Sequence, residues 1–354
     1  MQKLSERGYV FISVEKLLKN IDFLKKISNF RRFFAVVKAN AYGHGEIAKR
    51  IESHVDGFAV ATFDEAYALR KTGVKKPVLI LGYVPEDKLL LCYAYSFSLC
   101  GLNKEYIACL SRFAVKFGVT LSVHLKIDTG MTRTGVSYKR IDELPDLRAY
   151  ENLRFEGIFS HFCVADSDEN FTKTQIRRFA EIVEKYEKDG INFEYVHIAA
   201  SSGITGGYFY GNAVRAGYAL YGYGASENLS PAMKVVGRVI AVNEVEPKQG
   251  VGYGLTYKPS KKTRVAVISV GYGDGYPRDG AKKKLAIYKG EFLRVVGRVC
   301  MDALFLDCGE KEVTPGDYVT LLGEDGDKKI SPDDLGFGYK VLCDFALRLT
   351  RVIV

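Results

Sequence analysis

Eight short apolar runs, many of them separated by amphipathic stretches, constrain this chain more than any other feature. They occupy residues 33–37, 57–61, 78–81, 96–100, 121–127, 155–160, 195–199 and 213–219. Each has strand length, and stretches such as DEAYALRKTG and FTKTQIRRFAEIVEKYEKDG carry helical periodicity between them. Eight strands alternating with helices predict an α/β fold, a parallel (β/α)8 barrel. Val14, Leu17, Leu18, Ile21, Leu24 and Ile27 recur at helical spacing and predict a helix that opens the chain. After about Ser230 the texture changes to β-rich runs divided by Gly, Pro and Lys, with helical periodicity returning only in LGFGYKVLCDFALRL. The expected organisation is therefore a barrel over 1–230 and a mostly β C-terminal domain over 231–354, which the first few residues could join.

Composition narrows the class. Of 354 residues, 47% are hydrophobic and 26% charged, the balance of a soluble globular protein. No run of about 18 apolar residues predicts a membrane span, and the N-terminal stretch lacks a signal peptide's pattern. Seven scattered cysteines without a C-x-x-C pair argue for reduced thiols, a cytoplasmic location and no metal site. The net charge of +9 suits small anionic ligands. No basic stripe with interleaved aromatics stands out, so a nucleic-acid partner is not expected.

Polar residues at the strand ends point to the chemistry. Lys38 directly follows FFAVV and precedes the small residues of ANAYGHG. Lys126 lies in VHLKID, and Arg133 in the glycine-punctuated DTGMTRTG. His161 ends GIFSH, Ser201 ends HIAAS, and Arg215 lies in NAVRAGYALYG. In a barrel, the C-terminal strand ends form the face where active sites assemble. Taken singly, each has an ordinary alternative: a snorkelling lysine, a core histidine, a capping serine, an arginine paired with Asp128, a packing Tyr42. Lys126 is the hardest to place that way, because an unpaired buried ammonium is costly.

In chain order, VVKANAYGHG, HLKIDTGMTRTG, SHFCVADSDENF, HIAASS, VRAGYALYG, VGYGLTY, VGYGDGYPR and VGRVCMD together resemble the alanine racemase family. The resemblance implies a barrel followed by a β domain, working as a head-to-tail homodimer with shared active sites. It implies interconversion of L- and D-alanine by a two-base mechanism, which supplies D-alanine for peptidoglycan precursors, with pyridoxal 5'-phosphate as cofactor. By motif, Lys38 would carry the cofactor covalently, and Tyr42, Ser201, Gly217 and Tyr218 would hold its phosphate. Arg215 would face the pyridine nitrogen and Arg133 the phenolic oxygen. Lys126 matches a lysine often modified to N6-carboxylysine, which would turn its cation into an anion able to orient Arg133. Met301 and Tyr272, with Arg133, match substrate-side positions, and His161 matches a cofactor-binding one.

The implied chemistry requires a base on one face of the reacting carbon and an acid on the other. Lys38 would serve one face, and Tyr253 of a second subunit the other. A free phenol titrates near 10, so half-ionising one at pH 7 takes about 4 kcal/mol of environmental help. A chain through His161 towards Arg215 would supply part of it.

Two positions depart from the family pattern. Ala200 replaces the usual Asn before the phosphate-binding Ser201, and Leu347 aligns with a tail tyrosine that reaches the phosphate and narrows the entrance. Serine or a longer side chain therefore stays an alternative substrate. A pyridoxal-phosphate amino-acid decarboxylase is the rival class, but this sequence has no motif matching that class's distinctive cysteine.

Overall fold

The computed structural model describes residues 7–29, 31–139, 144–279, 285–345 and 348–354. The chain opens with β1 (Gly8–Ile12) and α1 (Val14–Ile27). It continues through β2 (Arg32–Val36), α2 (Lys38–Tyr42), α3 (Ala48–Ile51), β3 (Gly57–Val60), α4 (Phe63–Lys71) and β4 (Val78–Ile80). Next come α5 (Leu89–Ala94), β5 (Phe97–Gly101), α6 (Lys104–Phe117), β6 (Leu121–Asp128) and the two-residue β7 (Val136–Ser137). Then follow β8 (Leu153–Phe159), α7 (Glu169–Lys188), β9 (Tyr195–His197), α8 (Ser201–Thr205) and β10 (Ala213–Ala216).

Strands β2, β3, β4, β5, β6, β8, β9 and β10 pair in parallel in a closed ring, the β5–β6 pairing completing it. This is the predicted (β/α)8 barrel. Its strands are buried almost throughout, as expected of parallel strands covered on both faces, so they read as continuous apolar runs rather than as alternation. The helices are delimited by local signals. Thr62 and Glu65 form a capping box on α4, Asn103 caps α6, Gly118 ends α6 at φ 61°, and Asp168 caps α7.

Two strands fall short of their apolar runs by two residues or more. The run 213–219 is strand only to Ala216, because the N–H groups of Gly217 and Ala219 turn to the Ser201 hydroxyl and Leu220 N–H closes a turn on Gly217 O. The run 195–199 pairs only to His197, before the residues that lead into α8.

Beyond the barrel lie β11 (Met233–Val245), β12 (Thr263–Ile268), β13 (Leu285–Tyr288), β14 (Glu291–Val296), β15 (Leu304–Gly309), β16 (Tyr318–Asp325) and β17 (Lys328–Ile330). The chain ends with α9 (Pro332–Leu335), α10 (Gly338–Asp344) and β18 (Thr350–Ile353). The sheet is antiparallel apart from the parallel β1–β18 pair, and the β11–β16 pairing closes six of its strands into a ring. Compact contacts group residues 7–15 and 42–45 with 231–354 in this β unit, and 16–41 with 46–230 in the barrel unit. The pairing of β1 with β11, Gly8 opposite Gly237 through Ile12 opposite Met233, places the chain's opening strand in the β unit. Among the described residues, no helix is long and apolar enough to cross a membrane. Leu347 lies outside the described residues.

Candidate active site

Lys38 begins α2, two residues beyond the end of β2. The turn that carries it is unusual: Ala39, Asn40, Ala41 and Tyr42 all have φ between 51 and 53°. A left-handed turn without glycine costs roughly 1–2 kcal/mol per residue, so its surroundings must hold it. Glu65 does so from the barrel unit. Its Oε1 accepts the Ala39 N–H at 2.7 Å and its Oε2 accepts the Ala61 N–H at 2.7 Å. Tyr42, at the end of the turn, packs its ring 6.1 Å from that of Tyr339, and burial pushes its phenol pKa up.

Strand β6 and its following loop supply two cations. Lys126 is buried; its Nζ donates to Thr134 Oγ1 and lies 5.7 Å from the centre of the Phe159 ring. Burial pulls its pKa down, with Arg133 and Arg215 adding to the shift against Cys100 and Asp128. Asp128 is not tied up by Arg133. Its Oδ1 accepts the N–H groups of Gly130, Met131 and Thr132 at 2.9, 2.9 and 3.0 Å, which folds the loop that presents the exposed Arg133.

Arg215, inside β10, is 3% exposed. Its Nη2 donates to Ser160 O at 2.8 Å and Ile198 O at 3.2 Å, and faces His161 Nδ1 at 3.2 Å. Its Nη1 donates to His197 Nδ1 and, at 3.3 Å, to His197 O. Burial pulls its pKa down to about 9, which leaves a cation at neutral pH. His161 stands two residues past β8. Burial, then the positive charges of Arg215, Arg133, Lys126 and Lys38, hold its pKa well below the usual range. The arrangement is thus four cations around one neutral imidazole.

Ser201 begins α8, and its buried Oγ accepts the N–H groups of Gly217 and Ala219 at 3.1 Å each. Ala200, in the capping position before it, offers no side-chain acceptor. Tyr218 is buried, its ring 5.3 Å from that of Tyr223.

The remaining expected site residues lie in the β unit. Tyr253 is 70% exposed, held between Gly252 and Gly254 at φ 68° and 71°. Tyr272 and Met301, also exposed, are brought together by backbone bonds from Tyr272 N–H to Cys300 O (3.0 Å) and Gly273 N–H to Met301 O (2.9 Å). Tyr272 lines an open cleft of about 480 Å³ with Arg278 and Lys340.

Reasoning from the sequence missed Glu65, Thr134 and the histidine behind Arg215, His197. Thr62 followed three residues later by Glu65 was a readable capping signal. Thr134 and His197 lacked one, since their partners come from other positions in the ring.

The comparisons decide the family. Family models described as alanine racemase, N-terminal domain, and alanine racemase, C-terminal domain, match residues 12–225 and 232–353. The chain belongs to the alanine racemase family. Alanine racemase 2 of Caldanaerobacter subterraneus subsp. tengcongensis is 34% identical, covering 98% of this chain and 94% of that protein. Among solved structures, an alanine racemase of Clostridium difficile 630 superposes with a TM-score of 0.90 at 30% identity, covering 99% of this chain and 97% of the other. The fold extends to another substrate class within the same architecture. A histidine racemase of Leuconostoc mesenteroides subsp. sake superposes with a TM-score of 0.89 at 26% identity, covering 99% of both chains.

Proposed function

We propose that the protein interconverts L- and D-alanine with pyridoxal 5'-phosphate as its cofactor. The observation that carries this reading is the cluster of Lys38, Lys126, Arg133 and Arg215 around neutral His161, in a chain that matches the family over almost its whole length. The donor set fits the cofactor. An amine stands on a rigid turn after β2, a buried guanidinium keeps its proton, and Ser201 gathers the backbone of residues 217–219 after β10. Phosphate sites after strands seven and eight are common in such barrels. Ser201, Gly217, Tyr218 and Tyr42 would hold the phosphate, Arg215 the pyridine nitrogen and Arg133 the phenolic oxygen.

When bound, the cofactor acidifies the Cα–H of an amino acid joined to it and spreads the resulting negative charge. Lys38 Nζ takes or returns the proton on one face of that carbon. Tyr253 Oη of a second copy of the chain does so on the other, in a homodimer with shared sites. Arg215 only donates, so it would leave the pyridine nitrogen without a proton, limiting delocalisation and disfavouring transamination. Lys126, its ammonium weakened by burial, would accept carbon dioxide as a carbamate and orient Arg133. Tyr272 and Met301 would stand beside the substrate. Seven free cysteines suit a reducing compartment such as the cytoplasm.

Incubating the purified protein and cofactor with a panel of L-amino acids in deuterated water, followed by chiral analysis, tests the reading. Alanine should invert with deuterium at Cα, faster than serine or histidine. Preferred inversion of a larger amino acid would overturn the substrate, and no inversion of any would overturn the activity.

A further inference from the structure

A line of buried polar side chains leaves Arg215 and crosses the barrel interior, away from the strand ends. Arg215 Nη1 donates to His197 Nδ1. Arginine has no acceptor, so His197 Nδ1 carries no proton and its Nε2 does. That Nε2 stands 2.9 Å from His124 Nδ1, to which it must donate. His124 therefore keeps its proton on Nε2, which faces Glu156 Oε1 at 3.5 Å. Glu156 ends the line as an acceptor, taking the Ser98 hydroxyl on Oε1 and Arg154 on Oε2. Both imidazoles are fully buried, and every proton points from the cation towards the carboxylate.

The backbone is shaped for this line. Val123 pairs with Phe155 and His124 with Gly157, so Glu156 is the extra residue of a bulge in β8. Bulges re-aim side chains. Gly157 makes room for the ring: a Cβ there would lie 2.3 Å from His124 Nδ1. The register gives the direction. His197 pairs with Phe159, which pairs with Lys126, two residues above His124 on the same face of β6. The line thus runs from the active-site rim towards the N-terminal ends of the strands.

We propose that Glu156 is a positioning residue for Arg215, acting through His124 and His197. Its carboxylate fixes the tautomer of both imidazoles, and so keeps an acceptor in front of Arg215 Nη1. Without it, a proton moved to His124 Nδ1 would force one onto His197 Nδ1, where it would meet the guanidinium donor head-on. The consequence for turnover rests on the racemase reading; the tautomers do not.

Nitrogen-15 spectra of histidine-labelled holoenzyme at pH 7, assigned with single variants, should show His124 and His197 as neutral Nε2–H tautomers. An Nδ1–H tautomer or an imidazolium at either position would overturn the line while leaving racemisation untouched. In Glu156→Leu, His197 should lose its single tautomer and kcat should fall about tenfold, with KM within about twofold. His124→Phe, which keeps a ring against Tyr195 but leaves the His197 Nε2–H without its acceptor, should likewise lower kcat with KM within about twofold, and decides the matter if Glu156→Leu does not fold. An unchanged His197 tautomer in Glu156→Leu, or wild-type kcat in whichever variant folds, would overturn the positioning role. An inactive wild type with the expected tautomers would fail the racemase reading alone.

Discussion

Arg215 Nη2 stands 3.2 Å from His161 Nδ1, and because the guanidinium can only donate, the imidazole must accept with that nitrogen. His161 is therefore neutral, as are His124 and His197. Burial is the first cause in all three, and nearby positive charge adds to it, although Glu156 opposes the shift at His124.

Acidification should consequently destabilise the barrel. Each of these histidines has a folded pKa below its unfolded value of about 6.5, so the unfolded chain binds the extra proton. Stability is complete above that value and is lost as pH falls from it towards the folded pKa, with a slope of up to about 1.4 kcal/mol per pH unit per histidine. Urea unfolding at pH 7.5 and 5.5 measures this. A barrel equally stable at both would contradict three neutral imidazoles.

Lys38 and Tyr253 are expected to separate cofactor attachment from proton transfer. Lys38→Ala should lose the visible absorbance of the bound cofactor and racemisation together. Tyr253→Phe should keep the absorbance while slowing the two directions of racemisation unequally, because only one enantiomer loses its base. Equal, wild-type rates in both directions would end the two-base reading.

The barrel was legible because its strands are buried on both faces and its helices carry clear periodicity and caps. Lys38, Arg215 and Ser201 were legible because they interrupt those patterns with groups that cannot be buried without partners. His124 had the same signature, two residues before Lys126 on the same face of β6, yet a histidine among apolar neighbours reads as packing until its acceptor is seen. Glu156 could not be found from spacing, since the bulge that turns it inward shifts the alternation of its own strand. The left-handed turn after Lys38 was equally hidden: alanine and asparagine do not announce positive φ as glycine does.

Ser201→Ala should weaken cofactor binding more than it alters the barrel. It removes the acceptor of two backbone N–H groups, at about 1–3 kcal/mol for a buried loss. With the loop of residues 217–219 no longer fixed, cofactor affinity should fall about tenfold or more. Spectrophotometric titration of cofactor-free protein measures it, and unchanged affinity would remove Ser201 from the phosphate site.

Lys126 should carry an added carbon dioxide in the native protein. Burial weakens its ammonium, its Nζ has a hydroxyl partner in Thr134, and neighbouring Arg133 and Arg215 favour an anion. Native mass measurement in bicarbonate should show about 44 Da more than Lys126→Ala predicts after correction for the substitution. A plain lysine mass in bicarbonate would leave Arg133 to be oriented by the Asp128 loop alone.

Asp274 should be the most sensitive charge in the β unit. It is fully buried, and Arg7 grips it twice, from Nε at 2.9 Å and Nη2 at 2.6 Å. Its Oδ2 also accepts the Gly271 N–H at 2.9 Å, and Arg348 Nε lies 3.4 Å away. Removing one partner of a buried pair leaves the rest uncompensated, so Asp274→Ala should cost about 3–5 kcal/mol. The exposed Asp327, paired with Lys328, is the contrast: Asp327→Ala should leave the unfolding midpoint essentially where it is in the wild type. Because the Asp274 carboxylate closes the turn that contains Tyr272, the folded fraction of Asp274→Asn should also show a raised KM. Thermal unfolding of Asp274→Ala and Asp327→Ala, and steady-state kinetics of Asp274→Asn, test the two effects. Equal losses at Asp274 and Asp327 would deny Asp274 its structural role.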